Sequence, residues 1–250
     1  MPREPKKPGR EPLTDVLSYY RDLGVAELYL ERARRAGPET PPQGPSPARG
    51  QPTVPPAAEA LGLPALAREV AACRRCPLAD TRKQTVFADG TGPARIMFVG
   101  EAPGADEDAQ GVPFVGRAGQ LLTKMIENGM GISRREVYIA NVVKCRPPEN
   151  RNPEPAEIAA CRGYLETQID LVRPEVLVAL GNFAAKFLLG TEEGIMKIRG
   201  RWGEYRGVPV MPTFHPSFLL RQPDRKRDAW SDLLAVLERI GLPAPPAGGR

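Results

Sequence analysis

Ile96-Met97-Phe98-Val99 runs directly into Gly100-Glu101-Ala102-Pro103-Gly104. Four consecutive apolar residues are typical of a buried strand, and two glycines with a proline predict an abrupt turn at its end. In open α/β sheets, ligands bind just beyond the carboxyl ends of the strands. Glu101 is therefore a candidate site residue. The competing interpretation is a plain connection from strand to helix.

The chain beyond this turn alternates between extended and helical patterns. Its later strands are predicted at 137–143, 176–180 and 208–213, and its helices at 119–131, 155–171, 183–189 and 224–240. This β-α-β-α-β-α-β order is typical of an α/β fold in which helices cover both faces of a parallel sheet. The loops that follow the strands should then meet at one edge of that sheet.

The residues before this region differ from it in composition. Residues 1–12 are charged and rich in proline, which predicts disorder. Residues 13–36 have a loosely helical spacing and predict a helical arm, which either packs on the core or docks on a protein partner. Eight prolines in residues 37–56 predict a stiff linker. We therefore expect the folded domain at 57–242, with a tail at 243–250.

The overall composition limits the class of protein. The 250 residues are 41% hydrophobic and carry a formal net charge of +5, which suits one α/β domain with extensions and favours an anionic partner such as nucleic acid. No apolar run approaches the roughly 20 residues of a membrane span, and the first residues lack a signal-peptide core. We expect a cytoplasmic protein with no membrane partner that acts as a monomer.

Four cysteines have the spacing of a metal site. Cys73 and Cys76 form a Cys-x-x-Cys pair, and Cys145 and Cys161 follow after a long gap. Because the cytosol disfavours disulfides, four thiolates around a metal are a better interpretation than four unrelated buried thiols. Zinc and iron–sulfur both fit this spacing, and the spacing does not choose between them.

The single histidine, His215, follows the last predicted strand and precedes Pro216-Ser217-Phe218-Leu219-Leu220-Arg221. A lone histidine is often a packing residue, but this one lies at the same predicted edge as Glu101. A rigid His-Pro-Ser turn could hold an imidazole over a ligand while the apolar residues after it wedge between base pairs. The alternative for residues 218–220 is ordinary core packing.

Five motifs stand in a fixed order along the chain: Gly100–Gly104, Glu107-Asp108, Gly111–Gly119, Asn141–Pro148 and His215-Pro216-Ser217. With the four cysteines, they resemble the family four uracil-DNA glycosylases over residues 61–242, which makes 57–242 the expected catalytic domain. The resemblance implies a three-layer α/β/α fold with a four-stranded parallel sheet. It also implies a structural 4Fe-4S cluster on Cys73, Cys76, Cys145 and Cys161, and excision of uracil from DNA in base excision repair.

One departure from some of these relatives bears on the mechanism. Those relatives bond covalently to the uracil-free sugar through a histidine that lies between the asparagine motif and the last cysteine. This chain has no histidine in that interval. The resemblance therefore implies hydrolytic turnover.

The chemistry of uracil excision assigns roles to the matched residues. The enzyme must flip the nucleotide, hold the base, and stabilise a cationic sugar and a uracil anion. Phe114 offers a stacking surface, Asn141 matches uracil N3–H and O4, and His215 can donate to O2. The predicted substrate-binding residues are Ala102, Phe114, Asn141 and His215, and the predicted catalytic residues are Glu101, Glu107 and His215. We expect one of the two carboxylates to orient water.

Contacts to DNA are predicted for Lys144, Arg146, Ser217, Leu219 and Arg221. Each charged residue among them could instead be a solvated surface charge. Two other classes of protein would also use four thiolates: an iron–sulfur electron carrier, and a zinc module that binds DNA without catalysis. Neither class requires Phe114, Asn141 and His215 at converging strand ends.

Overall fold

The structure is a computed structural model that describes residues 56–90 and 92–245, with side chains described from residue 62 onward. The predictions of a disordered start, a helical arm and most of the linker concern residues 1–55 and lie outside the described residues. The end of the predicted tail, residues 246–250, also lies outside them. In the described part of the chain, no helix is long and apolar enough to cross a membrane.

A single five-stranded sheet forms the centre of the domain, with the order β2-β1-β3-β5-β4. Its strands are β1 Ile96–Gly100, β2 Tyr138–Asn141, β3 Val176–Leu180, β4 Gly203–Tyr205 and β5 Val208–Thr213. The four predicted strands are β1, β2, β3 and β5, and they pair in parallel. β3 and β5 have the bounds that the sequence predicts.

The prediction of four strands is wrong by one, because β4 pairs antiparallel with β5 at the edge of the sheet. β4 has three residues, of which only Tyr205 is buried. It therefore lacks the apolar run that marks the other strands. A tight turn through Arg206 and Gly207, with φ of 50° and 85°, joins it to β5. Positive φ at both positions is the geometry of a two-residue hairpin.

Helices lie on both faces of the sheet, so the three-layer α/β/α prediction is confirmed. They are α1 Pro56–Ala72, α2 Leu78–Thr81, α3 Ala105–Gln110, α4 Arg117–Lys124, α5 Pro155–Val172, α6 Gly181–Leu189, α7 Ile195–Ile198, α8 Pro216–Arg221 and α9 Lys226–Arg239. α1 is kinked at Gly62. The helix predicted at 119–131 corresponds to two consecutive segments. α4 covers its first part, and one π-helical turn, Met125–Gly129, follows directly.

The side chains of β1 alternate between two buried cores. Met97 and Val99 belong to the core that includes residues of α1, α5 and α6. Ile96 and Phe98 belong to the core that includes residues of α4 and α9. Because both faces of the strand are buried, its sequence is an unbroken apolar run rather than an alternating one.

The carboxyl ends of the parallel strands meet at one edge, as predicted. Gly100 at the end of β1 pairs in register with Asn141 at the end of β2. β2 ends two residues earlier than the prediction, but the N–H groups of Val142 and Val143 still donate to the carbonyls of Gly100 and Glu101, at 2.9 and 3.1 Å. The turn after β1 and the loop after β2 are therefore held side by side.

Candidate active site

A cavity opens at this edge of the sheet and gathers most of the predicted site residues. These are Glu101, Ala102, Glu107, Phe114, Asn141, His215, Ser217 and Arg221. The lining also includes polar residues that the sequence patterns did not indicate: Asn150, Arg151, Asn152 and Asn182. The first three had one sequence signal, which is their position directly after the motif that contains Asn141.

Phe114 lies beside the end of β1 in a backbone conformation that aromatic residues rarely adopt, with φ of 55°. A Cβ atom at Gly100 would lie 2.5 Å from Cζ of Phe114, and one at Gly119 would lie 1.9 Å from its carbonyl carbon. Glycine is therefore required at both positions for the ring and its backbone to approach so closely. An aromatic residue in the left-handed backbone region is strained, and such strained residues cluster at functional sites.

The carboxylate of Glu107 holds the loop that carries Phe114. Its Oε1 accepts hydrogen bonds from the N–H groups of Val115 and Gly116, at 2.9 and 3.0 Å. Its Oε2 accepts from the N–H of Gly104 at 3.1 Å, at the start of α3. Bonds from backbone N–H to a carboxylate are among the stronger hydrogen bonds in proteins. Glu107 therefore fixes the backbone on the carboxyl side of Phe114, a role that the sequence did not show.

Asn141 presents an unused acceptor to the cavity. The residue is 1% exposed, and among the described residues its Oδ1 has no hydrogen-bond partner. A buried acceptor without a partner costs about 1–3 kcal/mol, so it usually indicates a missing ligand or water. Phe114 is close by, because a Cβ atom at Gly100 would lie 2.4 Å from Oδ1 of Asn141 and 2.5 Å from the phenyl ring.

His215 precedes α8 and is oriented by Ser217. Its Nδ1 accepts a hydrogen bond from the backbone N–H of Ser217 at 3.1 Å and lies 2.8 Å from the Ser217 hydroxyl. Because Nδ1 is the acceptor, the proton of the neutral ring is assigned to Nε2. Burial lowers the pKa of His215 to about 4. The ring is therefore a neutral donor near neutral pH.

Glu101 is a carboxyl group of this cavity whose pKa is shifted by its surroundings. Burial raises its pKa to about 7. A group whose pKa lies near the working pH can hold or release a proton, which is a property of acid–base residues at active sites. Its place directly after β1, beside the end of β2, is the place that the Gly-Pro turn predicts.

Two residues predicted to contact DNA are buried instead, so both predictions are wrong. The Lys144 side chain is 1% exposed, and its Nζ donates to the carbonyl of Asn141 at 2.8 Å and to Oε1 of Gln168. Leu219 is 1% exposed, whereas its neighbour Leu220 is 38% exposed. The charge of Lys144 is engaged inside the domain, and α8 turns Leu219 rather than Leu220 towards the core.

The other three predicted DNA contacts stay predictions. Arg221 is exposed and lines the cavity. Arg146 lies outside the lining and donates from Nε to Oδ1 of Asn150 at 2.8 Å, which ties it to a lining residue. Ser217 lines the cavity with its hydroxyl against His215.

The four cysteines meet in a second, small cavity. Cys73 and Cys76 come from the segment between α1 and α2, Cys145 follows β2, and Cys161 lies in α5. Hydrogen-bond donors point at the sulfur atoms of Cys145 and Cys161. Arg82 Nη1 lies 3.0 Å from Sγ of Cys145, and the backbone N–H of Lys144 donates to Sγ of Cys161 at 3.3 Å.

The four thiols of this small cavity do not share one electrostatic environment. Burial raises the pKa of Cys145 to about 11 and also raises that of Cys161. Partial burial acts in the same direction on Cys73, but hydrogen bonds from Tyr164 and Arg75 outweigh it and lower the pKa of that thiol. Metal binding would therefore release protons from the thiols of Cys145 and Cys161. Among the described residues, no three histidine, cysteine, aspartate or glutamate side chains are grouped to hold a single metal ion.

A domain with this fold and with a cavity at the carboxyl edge of its sheet is consistent with the uracil-DNA glycosylase superfamily, whose sequence model matches residues 87–234. The chain belongs to the type-4 uracil-DNA glycosylase family within it, as its relatives show, and is therefore a glycosylase. It is similar to the Type-4 uracil-DNA glycosylase of Archaeoglobus fulgidus, with 42% identity over 190 residues, or 72% of this chain and 94% of that protein.

Two further relatives are similar over shorter stretches. The Type-4 uracil-DNA glycosylase of Thermotoga maritima is 49% identical over 158 residues, which cover 62% of this chain and 82% of that protein. A Type-5 uracil-DNA glycosylase of Pyrobaculum aerophilum is 35% identical over 141 residues, or 50% of this chain and 62% of that protein. The resemblance deduced from the motifs is confirmed at the level of the family.

Proposed function

We propose that this enzyme hydrolyses the N-glycosidic bond of deoxyuridine in single- and double-stranded DNA, as a step of base excision repair. The deoxyuridine nucleotide is flipped out of the DNA into the cavity at the carboxyl edge of the sheet. The observation that carries the proposal is the buried, unpartnered Oδ1 of Asn141. Uracil supplies the donor that this oxygen lacks, namely its N3–H.

Base recognition rests on the amide of Asn141. Its Oδ1 accepts from uracil N3–H while its NH2 donates to uracil O4. Cytosine presents the opposite pattern at both positions and would leave two buried polar groups mismatched. Such mismatches discriminate strongly, by up to roughly 10⁴–10⁵-fold in sites built for hydrogen bonds.

Two rings act on the bound base. Phe114 provides a stacking face, which contributes about 1–3 kcal/mol per base in single-strand recognition. His215 donates from Nε2 to uracil O2, where negative charge collects as the bond to the sugar breaks. Because burial keeps this imidazole neutral, it donates a hydrogen bond to the uracil anion without first adding a proton to the base. Ala102 lines the same cavity beside the base.

The attacking water is held by Glu101, whose pKa burial raises to about 7. Ionised Glu101 orients the water and supports the positive charge of the sugar in the transition state. Glu107 contributes through the backbone amides that its carboxylate holds. Of the two carboxylates, Glu101 is therefore the one that contacts water.

DNA binding combines phosphate contacts and an apolar wedge. Arg221, which lines the cavity, and Arg146, which is hydrogen-bonded to Asn150, contact phosphates. Of the apolar residues 218–220, Leu220 acts as the wedge, because it is 38% exposed in α8 next to Arg221 whereas Leu219 is buried. The partner is uracil-containing DNA.

We infer that Cys73, Cys76, Cys145 and Cys161, which line the small cavity, hold a 4Fe-4S cluster. Each iron of a cluster takes one cysteine, so its four ligands stand further apart than four sulfurs placed about 2.3 Å from one zinc ion. In the described part of the chain, the four thiols line one cavity, and four cysteine thiolates are the ligand set of a 4Fe-4S cluster. When bound, the cluster supplies a structural cross-link between the α1–α2 segment, the loop after β2 and α5.

The test is release of free uracil by the purified full-length protein. The substrates are single- and double-stranded oligonucleotides with one uracil, and matched oligonucleotides with thymine or cytosine at that position are the controls. We expect uracil and an abasic site from the uracil substrates alone. If uracil is not released from either form, the function is wrong. A colourless protein that releases uracil and contains zinc would overturn the cluster alone.

A further inference from the structure

We propose that Arg134 is a positioning residue for base recognition, which holds Phe114 in its strained conformation. The inference rests on the proposed function, in which Phe114 stacks on the flipped base. Arg134 is not among the residues that line the cavity. Any effect on the base must therefore pass through another residue. The guanidinium donates to the carbonyl of Pro113, directly before Phe114 in the chain, which points to Phe114.

The guanidinium of Arg134 joins three separate segments. Its Nη2 donates to the carbonyl of Pro113 at 2.8 Å. Its Nη1 donates to the hydroxyl of Thr123 in α4 at 2.8 Å. Its Nε donates to Oδ2 of Asp89 at 2.8 Å. Only 15% of the Arg134 side chain is exposed, so these bonds are partly shielded from competing water.

Two of the three acceptors are themselves anchored to rigid elements. Asp89 pairs with Ile139 in β2 through two backbone hydrogen bonds, of 2.8 and 2.9 Å. The hydroxyl of Thr123 donates in turn to the carbonyl of Gly119 in the same helix, at 3.1 Å. Arg134 therefore transmits the position of β2 and α4 to the carbonyl of Pro113. Ile139 lies in the same strand as Asn141. The ring of Phe114 and the amide of Asn141 are therefore positioned by the same strand.

The loop around Phe114 is thus held on both sides by ionic groups. Arg134 binds the carbonyl that precedes Phe114, and the Glu107 carboxylate binds the N–H groups that follow it, of Val115 and Gly116. Between them Phe114 has φ of 55°. Such a conformation persists only where the surroundings over-determine it. Loss of the Arg134 bond frees one end of the loop and lets the ring leave the stacking position.

The geometry of the guanidinium explains why lysine could not replace Arg134 in holding these three acceptors. Three acceptors in different directions match the planar fork of arginine, whereas lysine carries one compact ammonium. Arg134→Met removes all three donors and keeps an unbranched apolar side chain. We expect a loss of about 10- to 100-fold in single-turnover uracil release, because small misplacements of a binding group can cost up to about 100-fold. Arg134→Lys should recover only part of this loss.

A matched control is the neighbouring Arg135, which is exposed and lies in the same short 3₁₀ turn, Arg134–Glu136. Arg135→Met removes the same charge and should release uracil at the parent rate. Inhibition by free uracil gives a second readout. The inhibition constant should rise in Arg134→Met and stay at the parent value in Arg135→Met.

The decisive experiment is a double-mutant cycle with Phe114→Ala. If Arg134 acts through Phe114, Arg134→Met should add no loss to Phe114→Ala, in either rate or uracil inhibition. Additive losses, or a parent-like Arg134→Met, overturn the inference. If Arg134→Met does not fold, the cycle is run with Arg134→Lys under the same criteria. Failure of the proposed function would appear differently, as a parent enzyme that releases no uracil.

Discussion

The ring of Phe114 lies 5.6 Å from the imidazole of His215, centroid to centroid, and the two planes are inclined by 35°. The two residues reach this contact from different loops, one after β1 and the other after β5. Hydrogen bonds hold each loop in place. Arg134 and Glu107 hold the loop of Phe114, and Ser217 holds His215. A base that stacks on Phe114 is therefore within the neighbourhood of the His215 donor.

His215→Ala should slow the chemical step by about 100- to 1000-fold, because it removes a donor that acts on charge developing in the transition state. Affinity for uracil-containing DNA should change little. Single-turnover rates and equilibrium binding to the same oligonucleotide separate the two effects. Equal losses in rate and affinity would make His215 a packing or binding residue.

The pKa of about 4 for His215 also predicts the pH behaviour of the parent enzyme. The ring is neutral above about pH 5, so its titration should leave the rate profile flat there. Any rise in rate near neutral pH must then come from another group. We expect that group to be Glu101.

Glu101→Gln should remove a pH dependence of the parent. With a pKa of about 7, the parent carboxylate is mostly protonated at lower pH, so single-turnover release should rise about tenfold per pH unit up to about pH 7. The variant should be slower by about 10²–10⁴-fold, without that slope. A parent profile that is flat from about pH 5 to 8 would remove Glu101 from the water-activating role.

The same pKa predicts an effect on stability with a definite sign. In the unfolded chain Glu titrates at about 4.3, so between that pH and about 7 the folded state binds a proton that the unfolded state does not. Parent stability therefore falls as the pH rises through this window. The thermal midpoint of Glu101→Gln should therefore rise relative to that of the parent between pH 5 and 8. Each kcal/mol of relative stability corresponds to about 2–4 °C. Glu238→Gln, on the exposed face of α9, should show no such gain.

Asn141→Asp tests base choice. A protonated aspartic acid could accept from the cytosine amine and donate to cytosine N3, while an ionised one mismatches uracil O4. Uracil excision should fall by at least about 100-fold, and weak cytosine excision should appear at lower pH. Single-turnover release from matched single strands measures both. If Asn141→Asp and Asn141→Ala excise uracil as fast as the parent, Asn141 does not read the base.

Gly100→Ala should damage the site through one methyl group. The added Cβ would lie 2.4 Å from Oδ1 of Asn141 and 2.5 Å from Cζ of Phe114, so both must move. Uracil release should fall by about 100-fold, and overpacking should cost about 1–3 kcal/mol of stability. Gly163→Ala is the control, because a Cβ there meets nothing within 4 Å. It should keep activity and raise the thermal midpoint, since Ala favours helix over Gly.

Cys76→Ser should give a colourless protein with less iron and a lower thermal midpoint. The expected cluster joins the segment before α2 to the loop after β2 and to α5, so loss of one thiolate loosens a long closed loop. Iron content, absorbance and thermal unfolding of the purified variant measure this. Full iron content with an unchanged midpoint would exclude Cys76 as a ligand.

Much of the fold follows from local sequence patterns. The apolar runs at Val176–Leu180 and Val208–Thr213 have the predicted bounds, because strands buried on both faces need nothing but short apolar segments between turns. Parallel pairing then places their carboxyl ends at one edge, which is why the strand pattern alone groups Glu101, Asn141 and His215. β4 was not predicted because an edge strand of three residues has no recognisable apolar pattern.

The family, the edge of the sheet that carries the candidate site and the four thiols could be predicted from the motifs, since each depends on residue type and spacing. Which side chains face inward could not be predicted, because this depends on how the folded segments pack. Lys144 lies in the asparagine motif and was predicted to contact DNA, yet its ammonium donates inside the domain to Gln168 of α5 and to the carbonyl of Asn141. Glu107 and Arg134 became supports of Phe114 for the same physical reason: hydrogen-bond partners distant in sequence meet only when the chain is folded.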